Sequence, residues 1–536
     1  MKKIIAVCLI VALLLCGCSA SAMQDLLQYV GTLLGYPTVT SFEDMEYTRP
    51  DMDVFRQQLE ACMEGAQTET SVKKLMDKIY TLYETYYDFY TANALSNIYY
   101  CQDLTDTYWE EEYNFCAENS AEVDAGMDQL LYALADCSLK DALEHEDFFG
   151  EGFFDEYQGD SIWDDTFTGL MNQEAELESE YYALSAQSLD ADYYSDAYFN
   201  TYGAQMAELF VELVALRQEI AAYAGYDSYL QFAYDFYYYR DYTPEQAQQL
   251  LDDIQRELVP LYTNLSYDVW SPMYDSCKES DTFAYVEEGA AAMGGTVGEA
   301  FQLLKEANLY DITYSANKYD ASFEVYLMSY GEPFIFLNAS QSARDKLTFA
   351  HEFGHFCNDY ASGGSMVGVD VAEIFSQSME FLSLFYCKNT ADLERMKLAD
   401  SLCTFVEQSA YVSFEQQVYS LEGGELTVEN VQALYEQVGT AFGFTSWNWD
   451  SRDYVLITHF FTNPMYIVSY VVSNDAALQI YQLEKAESGT GAKLFQDSLA
   501  TEEGYFLAFV EAAGLQSPFE KGRAAEIRKT MEAVLN

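Results

Sequence analysis

Two histidines stand four positions apart in the stretch LTFAHEFGHFCND, with Glu352 directly after the first of them. Positions i and i+4 of an α-helix lie on one face, so His351 and His355 can bind one metal ion together. Glu352 is rotated about 100° from His351, which keeps it off the ion but within reach of a water molecule there. Zinc accepts imidazole and carboxylate ligands, so the stretch predicts one Zn²⁺ ion with Glu352 as general base.

A catalytic zinc ion needs a third protein ligand and an open position. The helical stretch VDVAEIFSQSMEFLSLF offers Glu373 as that ligand, and the preceding SGGS supplies a turn that brings this helix back against the first. Glu380 lies seven residues later on the same face. We predict Glu380 and Asp370 as partners that orient the ligands, the alternative being acids that face solvent.

A third site segment is ITHFFTNPMYIVSYVVSNDAALQIYQ, which carries His459, Tyr466 and Tyr470. The tyrosines stand at i and i+4 of a helix predicted after Pro464, so their hydroxyls point the same way. Imidazole and hydroxyl donors near a metal can stabilise the oxyanion of a tetrahedral intermediate. With 47 tyrosines in the chain, packing roles for Tyr466 and Tyr470 are an open alternative.

The chain has 536 residues, 88 acidic against 26 basic side chains and a formal net charge of −62. Such a charge repels nucleic acid and anionic lipid surfaces. It is typical of a solvated acidic surface, the alternative being a surface for a specific basic partner. The length predicts two or more domains or one large helical body.

The first residues, MKKIIAVCLIVALLLCGCSASA, have the layout of a secretory signal. LCGC resembles a bacterial lipobox, which implies a signal peptide at residues 1–18 and a lipid-anchored Cys18 on the cell surface. Cleavage near Ala22, which would release a soluble protein, is the alternative. The eight cysteines that follow show no CxxC spacing, which favours small buried hydrophobic side chains over a disulfide framework.

Helical periodicity dominates the rest of the chain. Tyr83, Tyr86, Tyr87 and Tyr90 form one helical stripe, which predicts packing between helices, with a substrate groove as the alternative. A helix is predicted from Thr243 to near Pro260. A turn at Gly225 indicates a boundary between an N-terminal helical region, 19–225, and a catalytic region, 226–536.

One strand is predicted at PFIFLN, residues 333–338, just before the histidine motif. Proline at its start favours an edge strand, because proline cannot donate a hydrogen bond to a neighbouring strand. Such an edge can pair with an extended peptide.

These stretches, in this order, resemble the oligoendopeptidase F and thimet oligopeptidase family of zinc metallopeptidases. The similar segments are GYDSYLQF with YTPEQAQQLLDDIQRELVPL, then PFIFLNASQSARDKLTFAHEFGH, EIFSQSMEFL and HFFTNPMYIVSYVVSNDAALQIY, within about residues 220–536. The resemblance implies a mainly α, two-lobed fold with a deep channel that admits short peptides and excludes folded proteins.

The resemblance also implies roles for individual residues. His351, His355 and Glu373 would be zinc ligands, Glu352 the general base, and His459 with Tyr466 or Tyr470 the contacts to substrate or oxyanion. Phe375 departs from the family, where a histidine often stands. The expected activity is hydrolysis of internal bonds in short peptides; the alternatives are a dipeptidyl carboxypeptidase and a non-catalytic lipoprotein that binds peptide or metal.

Overall fold

Helices make up most of the protein, as the spacing of its apolar residues predicts. The structure is a computed structural model that describes residues 40–145, 149–155, 157–159, 161–188, 195–364, 367–388, 390–444, 449–501 and 503–535. The predicted signal peptide, Cys18 and the alternative cleavage site near Ala22 lie outside these residues. None of the helices in the described ranges is long and apolar enough to cross a membrane.

The α-helices of five or more residues are numbered here in chain order. They are α1 Met52–Thr68, α2 Val72–Gln102, α3 Thr107–Ala135, α4 Asp165–Gln187, α5 Ala204–Tyr223, α6 Pro244–Glu257, α7 Glu279–Met293, α8 Gly295–Glu306, α9 Asp345–Ser362, α10 Val369–Tyr386, α11 Ala391–Cys403, α12 Ser409–Val418, α13 Val428–Ala441, α14 Thr458–Thr462, α15 Val468–Ala486, α16 Thr490–Ser498, α17 Phe506–Ala512 and α18 Arg523–Leu535.

Shorter and irregular helices connect these elements. The short α-helices are Lys140–Leu143, Asp196–Tyr198, Tyr229–Phe232 and Val259–Tyr262. The 3₁₀ segments are Phe42–Asp44, Phe153–Asp155, Tyr267–Tyr274, Gly423–Glu425 and Asp453–Leu456, and the π-helical segments are Phe199–Gly203, Ala233–Tyr237 and Thr404–Gln408.

The N-terminal helices α1, α2 and α3 pack around a small hydrophobic core of their own. Tyr83, Tyr86 and Tyr90 of the α2 stripe are partly buried against this core, which confirms the packing role for Tyr83 and Tyr86, whereas Tyr90 also lines a cavity. Tyr87 is 43% exposed and lies at the margin of the stripe. The C-terminal part of α2 contributes Leu95 to a second, much larger core, so this helix joins the two.

Helix α6 begins as predicted. The Thr243 hydroxyl accepts a hydrogen bond from the Gln246 backbone N–H, and the Gln246 side chain accepts one from the Thr243 N–H. Pro244 follows at the first helical position, where its missing N–H costs no hydrogen bond. The helix ends at Glu257, slightly earlier than predicted, and the chain continues from Val259 as a separate short helix that contains Pro260.

The boundary predicted near residue 225 coincides with a turn. Helix α5 ends at Tyr223, and Gly225 has a φ of +85°, a conformation that favours glycine. The large hydrophobic core nevertheless continues across this point, because Val214 and Phe232 belong to it together. The division into two domains stays a prediction.

A three-stranded sheet lies just before α9 in the chain. Its strands are β1 Tyr310–Asp311, β2 Ser322–Leu327 and β3 Glu332–Leu337, in the spatial order β1-β3-β2. Strand β3 pairs parallel with β1 and antiparallel with β2, and all six of its residues are buried. The prediction that PFIFLN is an edge strand is therefore wrong, and β2 is the edge strand on that side.

Proline is tolerated in the central strand because β1 is short. The Ile335 N–H bonds to the Leu309 carbonyl, so the nitrogens of Ile335 and Pro333 both point to the β1 side. The β1 pairing begins only opposite Ile335, so Pro333 lies beyond its end and leaves no strand hydrogen bond unmade.

The eight described cysteines are all free. Six of them are buried, namely Cys62, Cys101, Cys116, Cys277, Cys357 and Cys387, which agrees with the predicted packing role. Cys137 and Cys403 are partly exposed.

Helices α9 and α10 cross in direct contact at Gly354. A β-carbon at this position would lie 2.5 Å from the Phe375 carbonyl oxygen and 2.6 Å from the Ser376 Cα. Both of these atoms belong to the backbone of α10, so they cannot rotate away. Glycine at position 354 therefore allows the histidine-bearing helix to approach the helix that carries Glu373.

Replacing Gly354 by alanine is expected to lower the free energy of unfolding by about 1–3 kcal/mol, because the added methyl group must separate the two helices. Denaturant unfolding followed by circular dichroism measures this change. Gly169→Ala in α4 is the matched control, since a β-carbon there meets nothing within 4 Å. The control should be stabilised by about 0.5–1 kcal/mol, and equal effects in both variants would contradict the close crossing.

Candidate active site

Three side chains from two helices converge on one point. His351 and His355 lie one turn apart on α9, and Glu373 lies in the first turns of α10. The Glu373 Oε2 atom is 3.4 Å from His351 Nε2 and 3.8 Å from His355 Nε2. Ligand atoms about 2 Å from a tetrahedral zinc ion are separated by about 3.3 Å, so this His-His-Glu group has the chemistry and spacing to hold one ion.

The turn between the two helices is built by glycine, as predicted. Gly363 has a φ of +71° and Gly364 a φ of +75°, in the left-handed region where side chains with a β-carbon are strained. The chain reverses here and starts α10 at Val369, which places Glu373 against α9. Residues 365 and 366 of the connection lie outside the described ranges.

The charge states of Glu373 and His355 suit metal binding. Burial acts to raise the pKa of Glu373, but interactions with His351, His355 and Tyr466 outweigh it and bring that pKa to about 2. Burial lowers the pKa of His355 to about 4, so its imidazole is neutral at pH 7. Carboxylate and neutral imidazole are the forms that coordinate metal ions. Burial acts to lower the pKa of His351, but its contacts with Glu373 and Glu380 outweigh burial and raise that pKa, so His351 must release a proton when a metal ion binds.

Glu352 lies beside this group without joining it. Its side chain is only 4% exposed, and burial raises its pKa to about 7, while His351 and a hydrogen bond with Ser322 of β2 act in the opposite direction. The structure therefore places Glu352 between the candidate ligands and the edge strand of the sheet.

Glu380 holds His351 in orientation, as predicted. The His351 Nδ1 atom is 2.9 Å from the Glu380 Oε1 atom, which leaves Nε2 to face Glu373. The other carboxylate oxygen of Glu380 lies 2.7 Å from the Lys397 ammonium group of α11. Lys397 is 2% exposed, and its ammonium group lies 5.0 Å from the centroid of the Phe381 ring.

Lys397 was not predicted from the sequence, although a signal exists. It stands at i+4 from Leu393 and directly follows Met396, on the side of α11 that carries buried apolar residues. A lysine among inward-facing apolar positions needs a buried acidic partner. The sequence alone does not say which of 88 acids that partner is.

Asp370 has a different role from the one predicted. It is 4% exposed, and its Oδ2 atom bonds Arg240 Nε at 3.3 Å rather than any candidate metal ligand. Arg240 also donates to the Met465 carbonyl and to the Ser469 hydroxyl, both at 3.0 Å. Asp370 is therefore neither a partner of the ligands nor a solvent-facing acid, and both expectations are wrong. The ion pair of Asp370 and Arg240 connects the start of α10 to the segment before α15.

His459, Tyr466 and Tyr470 come together beside Glu373. The Tyr466 hydroxyl donates to Glu373 Oε1 at 2.7 Å, and the Tyr470 hydroxyl lies 3.1 Å from His459 Nε2. The rings of Tyr466 and Tyr470 are 5.3 Å apart. The prediction that both tyrosines stand on one helix is wrong: α15 begins at Val468, and Met465, with a φ of +64°, turns the chain before it.

A second buried arginine holds the helix that carries His459. Arg217 of α5 donates to the carbonyls of Phe460 and Phe461 in α14, and its guanidinium also bonds Glu174 and Glu178 of α4. Its side chain is completely buried. These bonds satisfy carbonyls at the end of a short helix and fix the position of His459, a role that the sequence pattern did not indicate.

Phe375, the position of the family departure, faces away from the metal ligands. Its ring lies 5.8 Å from Phe495 and 5.7 Å from Phe509, and it is 1% exposed. The residue fills the contact between α10 and the helices α16 and α17. Orientation of the ligands comes instead from Glu380, Ser376 and Tyr466.

A cavity of about 860 Å³ opens over the candidate ligands. Its walls come from α9 and α10, from Ser322, Phe323 and Glu324 of β2, and from the segment with His459. A second cavity of about 670 Å³ adjoins it and extends between α9 and the helices α2, α3 and α4. The two cavities share four lining residues, namely Asn97, Glu324, His355 and Ala372. The expected channel beside the metal-site helices is therefore present.

A family model described as the peptidase M3 N-terminal domain matches residues 42–160. An oligoendopeptidase F homolog from Borreliella burgdorferi is 27% identical over 175 residues, which represent 28% of this chain and 29% of that protein. The matched segment thus spans less than a third of the curated relative.

Solved structures share the fold over nearly the whole chain. PZ peptidase A with an inhibitor has a TM-score of 0.81 at 18% identity, and the match covers 92% of this chain and 99% of that one. The oligoendopeptidase F from Enterococcus faecium has a TM-score of 0.59 at 12% identity, with 90% and 97% covered. Residues 42–160 are thus similar to the peptidase M3 N-terminal domain, and the chain as a whole shares the fold of the PZ peptidase A and oligoendopeptidase F structures.

Proposed function

We propose that the protein is a zinc-dependent oligopeptidase that hydrolyses internal bonds of short peptides. The observation that carries this proposal is the His351, His355 and Glu373 group at the wall of a long cavity, with Glu352 beside it and an edge strand opposite. A zinc ion held by the three side chains would polarise the peptide carbonyl and acidify water.

The base in this mechanism is Glu352. Its carboxylate lies at the cavity wall next to the ligands, where it takes a proton from the attacking water and later passes it to the leaving amine. Because the group is buried and hydrogen-bonded with Ser322, it is held in one place while it works. The neighbouring Glu380 and Lys397 keep His351 oriented.

His459 and the two tyrosines supply hydrogen-bond donors. All three line the cavity beside Glu373, so their hydroxyl and N–H groups can bond the carbonyl oxygen as negative charge develops on it. Tyr466 donates to Glu373, whereas Tyr470 bonds His459. This difference favours Tyr470 as the donor to substrate, with His459 Nε2–H donating to the Tyr470 oxygen, and Tyr466 as the residue that positions Glu373.

Strand β2 offers a binding surface for the peptide backbone. The N–H and C=O groups of Ser322, Glu324 and Tyr326 alternate with those that bond β3, so they point to the open side of the sheet. An extended peptide can add there as a further strand, antiparallel or parallel to β2. Backbone pairing accepts many sequences, which suits an oligopeptidase.

The length of the cavity limits the substrate. The helical stretch that lines the two cavities runs from Arg344, directly before α9, to Asp359, about 22 Å at 1.5 Å per residue. An extended peptide of about six or seven residues spans that distance. Folded proteins do not present such a segment without unfolding first.

The test is hydrolysis of quenched fluorescent peptides by the purified protein, with zinc measured on the same sample. We expect cleavage of peptides of about ten residues, loss of activity after chelation and recovery when zinc returns. A folded protein of casein size or larger should be cleaved far more slowly. Bound zinc without cleavage would contradict the proposal and favour a peptide- or metal-binding lipoprotein.

We also propose that the protein is exported and tethered through a lipid on Cys18, which rests on the leader and its LCGC stretch. Mass analysis of the mature N-terminus is expected to give a lipid-modified cysteine at position 18. An unmodified N-terminus near Met23 would contradict the tether and support a secreted protein.

A further inference from the structure

One face of α9 follows the cavity from end to end. Arg344, Thr348, His351, His355 and Asp359 recur every three or four positions and line one or both of the adjoining cavities. Arg344 precedes the first helical residue and has helical backbone angles, so it continues the face by one more turn. This helix face therefore runs along both cavities, with the candidate metal ligands at its middle.

Arg344 is the single lysine or arginine among the described residues that line either cavity. The other charged side chains around the first cavity are acids, and two of them, Glu380 and Asp400, are paired with the buried Lys397. One exposed cation thus stands at one end of a strongly acidic cavity.

The guanidinium of Arg344 has no partner of its own among the described residues, by either ion pair or side-chain hydrogen bond. Burial raises the pKa of Glu407, and the charge of Arg344 acts to lower it. Glu407 forms no ion pair with Arg344 and instead accepts a hydrogen bond from Cys403 Sγ at 3.2 Å. The five donors of the guanidinium are therefore free for a ligand.

The two ends of this helix face differ in charge. Beyond His355, the second cavity is lined by no lysine or arginine in the described ranges. Its acids are Glu324, Asp359 and Glu178, and Glu178 is paired with the buried Arg217. Burial raises the pKa of these three acids, and an ammonium group at a peptide N-terminus would favour their charged forms. The carboxylate at the C-terminus is favoured at Arg344. Charge alone thus gives the channel a direction.

We propose that Arg344 binds the C-terminal carboxylate of the peptide substrate and so sets which bond is cleaved. The inference rests on the proposed peptidase function and adds substrate direction to it. Arg344 lies seven positions, or about 10 Å along the helix axis, from His351. About three extended residues span that distance, so cleavage should release short C-terminal fragments of about three residues.

The experiment compares two peptides of one sequence, one with a free C-terminal carboxylate and one with a C-terminal amide. For the wild-type protein, kcat/KM is expected to be about 10-fold higher for the free acid, because one charge-assisted hydrogen-bonded pair typically contributes a difference of this size. Mass spectrometry of the products is expected to place the cleaved bond at a constant distance from the free C-terminus.

Two substitutions and a matched control assign the effect to the side chain. Arg344→Gln should reduce the preference for the free acid to less than about 2-fold and spread the cleavage positions, whereas Arg344→Lys should keep part of the preference. Lys346→Gln removes a positive charge from the same helix end but does not line the cavity, so it should keep the full preference.

Binding separates this inference from the proposed function. Fluorescence anisotropy of both labelled peptides with the wild-type protein measures the same preference without turnover. If neither peptide is cleaved, the proposed function fails, yet tighter binding of the free acid that Arg344→Gln abolishes would still support the carboxylate site. Equal binding of acid and amide, or a preference that survives in Arg344→Gln, would overturn it.

Discussion

Replacing Glu352 by glutamine is expected to lower kcat for peptide hydrolysis by about 10²–10⁴-fold while the zinc content stays unchanged. Glutamine has the same shape but cannot take a proton from water. Because Glu352 does not belong to the group of candidate ligands, its substitution should leave metal affinity intact. Steady-state kinetics with a quenched fluorescent peptide, together with metal analysis of the same preparation, measures both quantities.

The control for Glu352→Gln is Glu306→Gln, which makes the same chemical change at an exposed position of α8. It should leave both kcat and zinc content at the wild-type values. If Glu352→Gln keeps zinc and retains activity within about 10-fold of the wild type, another group is the base and the proposed mechanism is wrong.

The second large effect is expected for Glu373→Gln, which should lower the affinity for zinc by more than about 100-fold. Replacing a residue that only orients a metal ligand typically lowers the affinity by about 10–100-fold. The carboxylate supplies the negative charge of the site and lies within 4 Å of both histidines. A neutral amide keeps the size of the side chain but loses most of the attraction for a divalent cation. Activity at limiting zinc should fall in parallel.

Competition with a chromophoric chelator measures the zinc affinities, and circular dichroism checks that the variant is folded. Glu380→Gln provides a graded comparison, since Glu380 contacts His351 without belonging to the ligand group. Its affinity loss should fall in the range of about 10–100-fold. A larger loss for Glu380→Gln than for Glu373→Gln would contradict the assignment of Glu373 as a ligand.

Local spacing made much of the site predictable. His351 and His355 share a face because an α-helix repeats every 3.6 residues, and this holds wherever the helix packs. Glu373 and Glu380 were recognised in the same way, as two positions on one face of the next helix. The start of α6 and the glycine turn before α10 also depend on interactions within a few residues.

The three larger errors concern partners that are distant in the chain. The edge-strand prediction for PFIFLN failed because β1, which covers that side of β3, lies more than twenty residues upstream. Asp370 was misjudged because its partner, Arg240, is 130 positions away. The helix expected at Tyr466 failed because Arg240 and Glu415 hold the Met465 backbone in a turn.

The sequence by itself thus determined the helical class, the position of each metal-site helix and the set of candidate ligands, since these follow from residue types and short repeats. Tertiary structure alone decided which charges are satisfied. Lys397 forms ion pairs with Glu380 and Asp400, and Arg217 donates hydrogen bonds to the α14 carbonyls. Arg344, by contrast, has no side-chain partner among the described residues at the cavity. The reason is physical: an ion pair depends on distances of a few ångströms, and packing sets those distances between segments that no local pattern relates.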